Sequence, residues 1–402
     1  MIILDKPYVS DLLVETASRL AIPVLNNLSV KEFNLTDKLS NKASEELSDK
    51  LILLDDDEFI ENFKINNSQL LYCNSENPIN WITKHLSFTS LPSMIEIFKD
   101  KAKFRKIMQP LYPKFFYKQV SYKDLHELDV SDLKFPFIIK PSVGFFSMGV
   151  YTVSNPADWD TVKNNLHKEV ENMGERFPTE VVNSNNFIIE EYIEGDEYAI
   201  DAYYDVSGKP VIINILKHIF SSDTDVSDRV YMTSKQIIES YLEPFTKFLE
   251  DMATRIDIKG FPMHVEVRVD KQGNIIPIEV NPMRFAGWCS TDIAFYAYGI
   301  NVYEYFFKQK TPDWEQLLSD KKDKIYSMII ADLPKDILIE DIVDVNYEGF
   351  VAHFDKPLAI RKIDYKKHGV FAFMFAETSA DKYGELEAIL KSDLKEFLVI
   401  DN

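Results

Sequence analysis

The sequence predicts a mixed fold, α/β at its amino-terminal end and α+β beyond it, and three observations carry that reading. Residues 1–95 interleave helical spacing with short apolar stretches. Two hairpin patterns follow in the middle of the chain, each alternating apolar and polar residues with a period of two. Residues 321–402 hold strand candidates followed by an amphipathic helix. With 402 residues, 46% hydrophobic, the chain can bury a sizeable core and form roughly two to four domains or subdomains.

Each element has a local justification. Residues 11–21 have helical spacing, IPVLNN reads as a strand and turn, and LSDKLILLDDD and NSQLLYCNSE continue the strand rhythm. No glycine-rich dinucleotide fingerprint follows the first strand, so nothing here supports NAD or FAD. LPSMIEIFKDKAKFRKIMQPLYP reads as one helix bearing Lys101, Lys103 and Arg105 and ended by Pro110 and Pro113. Residues 134–153 read as strand, glycine-containing loop and strand, and a helix is expected over about 156–173. NNFIIEEYI begins a strand and connection, and EYAIDAYYDVSGKPVIINILKHIF a hairpin turning at Ser207 to Lys209. A helix over about 234–256 precedes a second hairpin, and YAYGINVYEYFFKQK has helical spacing. A boundary near 320 is marked by TPDW and the charge run SDKKDK. Strands are then expected around 325–331, 349–354 and 369–376, and a helix near 382–397.

Bulk charge narrows the function classes. Sixty-five acidic residues against 45 Lys and Arg leave a formal charge of -20, which disfavours nonspecific nucleic-acid binding but allows a local cationic cleft. Cys73 and Cys289, the two cysteines, form neither a disulfide framework nor a thiolate metal site. The first twenty residues lack the features of a secretory signal, and no stretch has the length and apolarity to span a bilayer, so a cytoplasmic setting without membrane contact is expected. Aromatic residues are abundant, 28 Phe and 20 Tyr, and leave a homodimer through surface patches open.

The second hairpin, GFPMHVEVRVDKQGNIIPIEVNP, raises a chemical question. With a turn centred between Gln272 and Gly273, Glu266 lies directly opposite Glu279, and Asn281 stands two residues along the same face. Opposed like charges repel and need a partner. Two readings remain at this point: a hard cation such as Mg²⁺ held by the oxygens of Glu266, Glu279 and Asn281, or neutralisation by Arg268, His264 or Arg284 on a solvated face.

Two further segments carry polar groups in suggestive order. In FPFIIKPSVGFFSMGVYTV, Lys140 ends an apolar strand and a loop with Gly144 and Gly149 follows, a setting in which backbone amides can surround phosphate oxygens. An ordinary hairpin with a surface lysine explains the same residues. In FIIEEYIEGDEYAIDAYY, the connection after Glu190 offers backbone groups of Glu191 to Ile193 to an adenine edge and the Glu197 carboxylate to ribose hydroxyls, against the alternative of a solvated acidic turn.

Taken in order, FKDKAKFR, Lys140 with its glycine loop, EEYIEGDE, and HVEVRV followed by IEVNP resemble the ATP-grasp superfamily of carboxylate ligases, over residues 95 to 310. The resemblance implies an N-terminal α/β domain over 1–95, an ATP-grasp core over 96–320 with an ATP-binding lid about 125–190, and a small C-terminal α+β domain over 321–402. It implies ATP and Mg²⁺, with Mn²⁺ as a substitute, and ligation of a small-molecule carboxylate, such as an amino acid, to an amine through an acyl phosphate. The implied nucleotide-binding set is Lys101, Lys140, Ser147, Met148, Glu190, Glu191, Tyr192, Ile193 and Glu197, and the metal-binding set Glu266, Glu279 and Asn281. Catalytic cations are Lys140, Arg284, Lys217 and Arg229. One departure stands out: Met283 follows the asparagine-proline pair where the family often has a basic residue, leaving Arg284 one position late. For Arg229 an ion pair with Asp225 or Asp228 competes with substrate binding, and His218 and His264 read as structural hydrogen-bonding residues. A kinase leaving a stable phosphorylated product and a non-catalytic nucleotide-binding module are the competing functions.

Overall fold

The computed structural model describes residues 1–35, 51–144, 149–176, 183–222 and 227–401. At the amino-terminal end, β1 (Ile2–Ile3), β2 (Val24–Leu25), β3 (Leu53–Leu54) and β4 (Tyr72–Cys73) form a parallel sheet in the order β3-β2-β1-β4. Helices fill the connections because the sequence starts them well. Ser10 caps Asp11–Arg19 by accepting from the Leu13 N–H, and Asp55 and Glu58 close a capping box on Asp56–Ile65. The sheet abuts the centre of the molecule, where the Cys73 N–H donates to the Met283 carbonyl at 2.8 Å. That bond brings the segment after β4, with Glu76, beside the end of the second hairpin.

A second, antiparallel sheet of order β5-β8-β6-β7 is built from β5 (Tyr117–Ser121), β6 (Phe137–Val143), β7 (Tyr151–Val153) and β8 (Asn183–Glu191). Its own apolar cluster holds Phe137, Ile139, Phe187 and Ile189, covered by Trp159 and Leu166 of the helix Trp159–Arg176. The loop between β6 and β7 carries Ser147 and Met148, which lie outside the described residues.

The largest sheet has eight antiparallel strands in the order β13-β12-β9-β10-β11-β14-β17-β16. They are β9 (Asp196–Tyr204), β10 (Pro210–Ile219), β11 (Val230–Ser234), β12 (Phe261–Val269), β13 (Ile275–Pro282), β14 (Lys324–Asp332), β16 (Lys356–Lys362) and β17 (Val370–Ser379). β15 (Ile342–Val345) and β18 (Leu398–Ile400) pair separately. The helix Lys235–Ala253 packs on one face through Tyr241 and Phe245 against Tyr198. Because β14 pairs with β11, the sheet continues across residue 320 without a break.

The helix expected near 382–397 is shorter, Gly384–Lys391, and the helical span through YAYGINVYEYFFKQK is broken at Gly299. Two further expected elements differ. The span 349–354 was expected as a strand, but residues Tyr347–Ala352 are helical, started by Asn346 accepting from the Gly349 N–H at 2.9 Å. The expected single helix over Lys101 is two, Leu91–Lys99 and Lys101–Met108. Asp100 sits between them in an extended conformation and accepts from the N–H groups of Ala102 and Lys103 at 3.0 and 3.2 Å, so a helix-capping side chain interrupts the apolar periodicity.

Candidate active site

The second hairpin brings the two glutamates together in the expected pairing, Glu266 opposite Glu279 and His264 opposite Asn281. The turn differs in detail. Val269 pairs with Ile275, so the turn centres on Gln272, and a bulge at Pro277 and Ile278 restores the register by one residue. β13 is an edge strand, where a proline costs no ladder bond.

The pair is asymmetric. Glu279 Oε2 lies 2.8 Å from Lys101 Nζ, whereas Glu266 Oε1 accepts only a 3.2 Å hydrogen bond from Asn281 Nδ2. Burial opposes ionisation of both carboxyls, but Lys101 and Lys99 hold Glu279 below its ordinary range. Burial and the negative charges of Glu279, Glu197 and Asp228 push Glu266 well above it. No lysine or arginine among the described residues pairs with Glu266, and Arg284 offsets its charge only in part. Among the described residues no group of three or more His, Cys, Asp or Glu closes into a metal cage. The half-shell of two carboxylates and one amide does match an all-oxygen cation that completes its coordination from substrate phosphates.

Lys101 stands at the first position of its helix because Asp100 caps that helix. Its Nζ also donates to the Gly144 carbonyl at 3.3 Å, so it joins the hairpin to the β6–β7 loop. Among the described residues an alanine Cβ at Gly144 would meet the Pro141 side chain, at 3.6 Å. Lys140 is buried and pairs with Glu190 Oε2 at 2.7 Å; Arg105 pairs with the other oxygen and covers the Phe115 ring at 4.3 Å. Burial pulls the Lys140 ammonium below its ordinary range against the pull of Glu190. Burial likewise opposes the Glu190 carboxylate, but Arg105 and Lys140 outweigh it and hold its pKa at about 2. Lys140 lies within β6 and does not end the strand as expected, and it and the expected nucleotide contact Glu190 are engaged with each other in this structure.

The connection from β8 to β9 is fixed by Arg268. Its guanidinium donates to the Ile193 carbonyl at 2.8 Å and to Glu197 Oε2 at 3.1 Å, and lies 5.6 Å from the centre of the Tyr192 ring. Gly195, at φ +127°, is required here: a Cβ would fall 2.1 Å from the Val269 carbonyl oxygen. The Glu191 carboxylate accepts from the Phe116 N–H at 3.0 Å, and the Glu191 and Tyr192 amides donate to the Phe116 and Pro136 carbonyls. Glu197 Oε1 lies 3.0 Å from His218 Nδ1, so a ribose would share an occupied carboxylate.

Residues 133–292 match the sequence profile of the ATP-grasp domain. That stretch of the chain is an ATP-grasp domain. The carbamoyl phosphate synthase large chain of Thermoanaerobacter sp. (strain X514) is 25% identical over 193 residues, which cover 47% of this chain and only 16% of that relative. Among solved structures, the fold is similar to L-amino acid ligase from Bacillus licheniformis, with a TM-score of 0.66 at 17% identity over 100% of this chain and 98% of that one. Biotin carboxylase from Campylobacter jejuni gives a TM-score of 0.64 at 13% identity, over 100% and 91% of the two chains.

Within this ATP-grasp fold three of the expected catalytic cations are each engaged by a carboxylate of the chain. Arg284 donates to Glu76 Oε1 at 2.9 Å and to the Phe285 carbonyl, and Lys99 pairs with the second oxygen of Glu76. Lys217 faces away from the glutamates and pairs with Asp196 at 2.7 Å, because its neighbour His218 occupies the site face and strand side chains alternate. Arg229 pairs with Asp332 at 2.7 Å and donates to the Ser392 carbonyl, in place of the expected pairing with Asp228. Asp225 lies outside the described residues. Sequence reasoning missed Glu76, Arg105 and Asp201 as site residues; the Arg105–Glu190 pair spans 85 residues and the Glu76–Arg284 pair 208. The alternation of β10 was the one available signal, and it favoured His218 over Lys217.

Proposed function

We propose that the chain is an ATP-dependent carboxylate–amine ligase, and the observation that carries this reading is the oxygen half-shell of Glu266, Glu279 and Asn281 facing Lys101 and the β6–β7 loop. The superfamily assignment and the similarity to an L-amino acid ligase support it. ATP would sit between the β5–β8 sheet and the large sheet, its adenine near the Glu191 to Ile193 connection. Glu266, Glu279 and Asn281 would hold Mg²⁺, for which Mn²⁺ could substitute, and the ion would supply charge neutralisation for the two glutamates and the phosphates. Lys101 stays paired with Glu279 while presenting positive charge to the phosphates, and Lys140 adds charge from behind once Glu190 is shared with Arg105. A substrate carboxylate oxygen bonds to the terminal phosphorus as ADP leaves. The amine then bonds to the acyl carbon, phosphate departs, and the amine releases its proton. The substrates are small molecules, an amino acid being the preferred acid.

Mass spectrometry of products after incubation with ATP, Mg²⁺ and pooled carboxylic acids and amines tests this directly. An amide together with ADP and phosphate is expected. A stable phosphorylated product would replace the ligase with a kinase, and nucleotide binding without any turnover would leave a binding module.

A further inference from the structure

The face of the large sheet that carries the glutamates is ordered in rows. One row runs Arg268, Glu197, His218, Tyr231 across β12, β9, β10 and β11. The next holds Glu279 and Glu266 and continues into Ala199 and Leu216. The third runs Asn281, His264, Asp201, Asn214 across β13, β12, β9 and β10. All four members of this last row are buried, Asp201 to 1% exposure and Asn214 to 0%. A polar row inside a sheet is costly to keep, since desolvated polar groups stabilise only where they are bonded. Asp201 Oδ2 and both polar atoms of Asn214 have no hydrogen-bond partner among the described residues.

The bonds that do form point to one purpose. Asp201 Oδ1 lies 2.8 Å from His264 Nδ1 and accepts from the Ala286 N–H at 2.8 Å. With Nδ1 held by Asp201, the ring turns Nε2 toward Glu266 Oε1, 3.7 Å away. Asn281 Nδ2 reaches that same oxygen. Both neighbours therefore bear on Oε1. The Ala286 amide belongs to the segment that follows Arg284, so a single carboxylate, Asp201, touches both the glutamate hairpin and the segment carrying the displaced basic residue.

We propose that Asp201 and His264 are a positioning pair that fixes the Glu266 carboxylate for a divalent cation and ties the Arg284–Gly287 segment to it. This rests on the metal-binding reading of Glu266, and neither residue contacts substrate. Outer-sphere partners of this kind typically govern metal affinity by about 10 to 100 fold. The test is calorimetric titration of Mn²⁺ into the full chain with a saturating non-hydrolysable ATP analogue, for the parent and for His264→Asn, Asp201→Asn and Glu266→Gln. His264→Asn keeps an N–H near the Nδ1 position for Asp201 and removes Nε2. The expected result is a fall in Mn²⁺ affinity of about 10 fold or more in His264→Asn and Asp201→Asn, with affinity for the analogue without metal unchanged. If Glu266→Gln weakens Mn²⁺ binding while both other variants bind it as the parent does, the positioning pair is overturned and the metal site stands. Parental Mn²⁺ affinity in all three overturns both. Asp201→Asn retains an acceptor for Ala286, so one folded variant is available if His264→Asn does not fold; lowered melting temperature with parental Mn²⁺ affinity would mark the pair as structural only and reject the proposal.

Discussion

At the scale of single residues, charge compensation separates Glu279 from Glu266. Glu279 has Lys101, whereas Glu266 pairs with no lysine or arginine among the described residues and has the His264 ring 3.7 Å away. Glu279→Gln keeps the size of the side chain and removes the charge that both Lys101 and a divalent cation require. ADP formation is expected to fall by about 10² to 10³ fold, roughly 2.7 to 4 kcal/mol of transition-state stabilisation, with little loss of fold. Parental turnover and a parental Mg²⁺ titration in the folded variant would make Glu279 structural. Glu76 allows a prediction that does not depend on activity. Burial works against its carboxylate, but Lys99 and Arg284 hold its pKa at about 2, below the ordinary 4.5. A depressed folded pKa contributes stability that is complete above about pH 4.5 and is lost as pH falls toward 2. Urea unfolding should therefore show a decline below about pH 4.5 that is shallower in Glu76→Gln, a variant less stable than the parent at pH 7. Parallel curves for the two proteins would show that the Lys99–Glu76–Arg284 cluster is not stabilising.

Elements place these residues, and the helix break at Asp100 is the placement most easily tested. Removing the cap in Asp100→Ala should cost about 1 kcal/mol of stability. It should also weaken binding of an ATP analogue, because Lys101 then loses its fixed start of helix, whereas Lys103→Ala, which removes only an exposed pair with Glu96, should not. Equal nucleotide affinity in Asp100→Ala and the parent would uncouple the cap from the site. What the sequence disclosed follows the same division between local and distant causes. The pairing of Glu266 with Glu279 was legible because both lie on one hairpin with strong alternation, although the assumed turn omitted the bulge at Pro277 and Ile278. The helix Lys235–Ala253 and the turn near Ser207 were legible for the same reason. GFVAHF was misread as a strand because its aromatic and β-branched residues outweigh a cap supplied by Asn346, three residues ahead of Gly349. The partners of Arg284, Lys140 and Arg229 could not be read, since Glu76 follows a strand of another sheet and Glu190 and Asp332 lie on neighbouring strands that are distant in sequence.

For the whole molecule, the sheet that passes residue 320 decides what the C-terminal segment does. β14, β17 and β16 extend the strands that carry the glutamates, and their other face packs a separate apolar cluster containing Phe350, Phe371, Met374 and Leu386. Among the described residues no helix is long and apolar enough to cross a membrane. Arg229 lies at the junction, at the start of β11. It pairs with Asp332 at the end of β14 and donates to carbonyls of Ile389 and Ser392, where the helix Gly384–Lys391 ends. A guanidinium at the carboxyl end of a helix satisfies orphan carbonyls and opposes the helix dipole. Arg229→Met keeps the aliphatic stem and removes those bonds, so it should lower unfolding free energy by about 1 to 3 kcal/mol. Catalysis should be spared, with ADP formation per folded molecule within about twofold of the parent, because 1.4 kcal/mol of altered barrier would already appear as tenfold. Differential scanning calorimetry and steady-state ADP release with the identified acid and amine separate the two effects. A loss of about 10² fold in turnover at unchanged melting temperature would return Arg229 to the substrate.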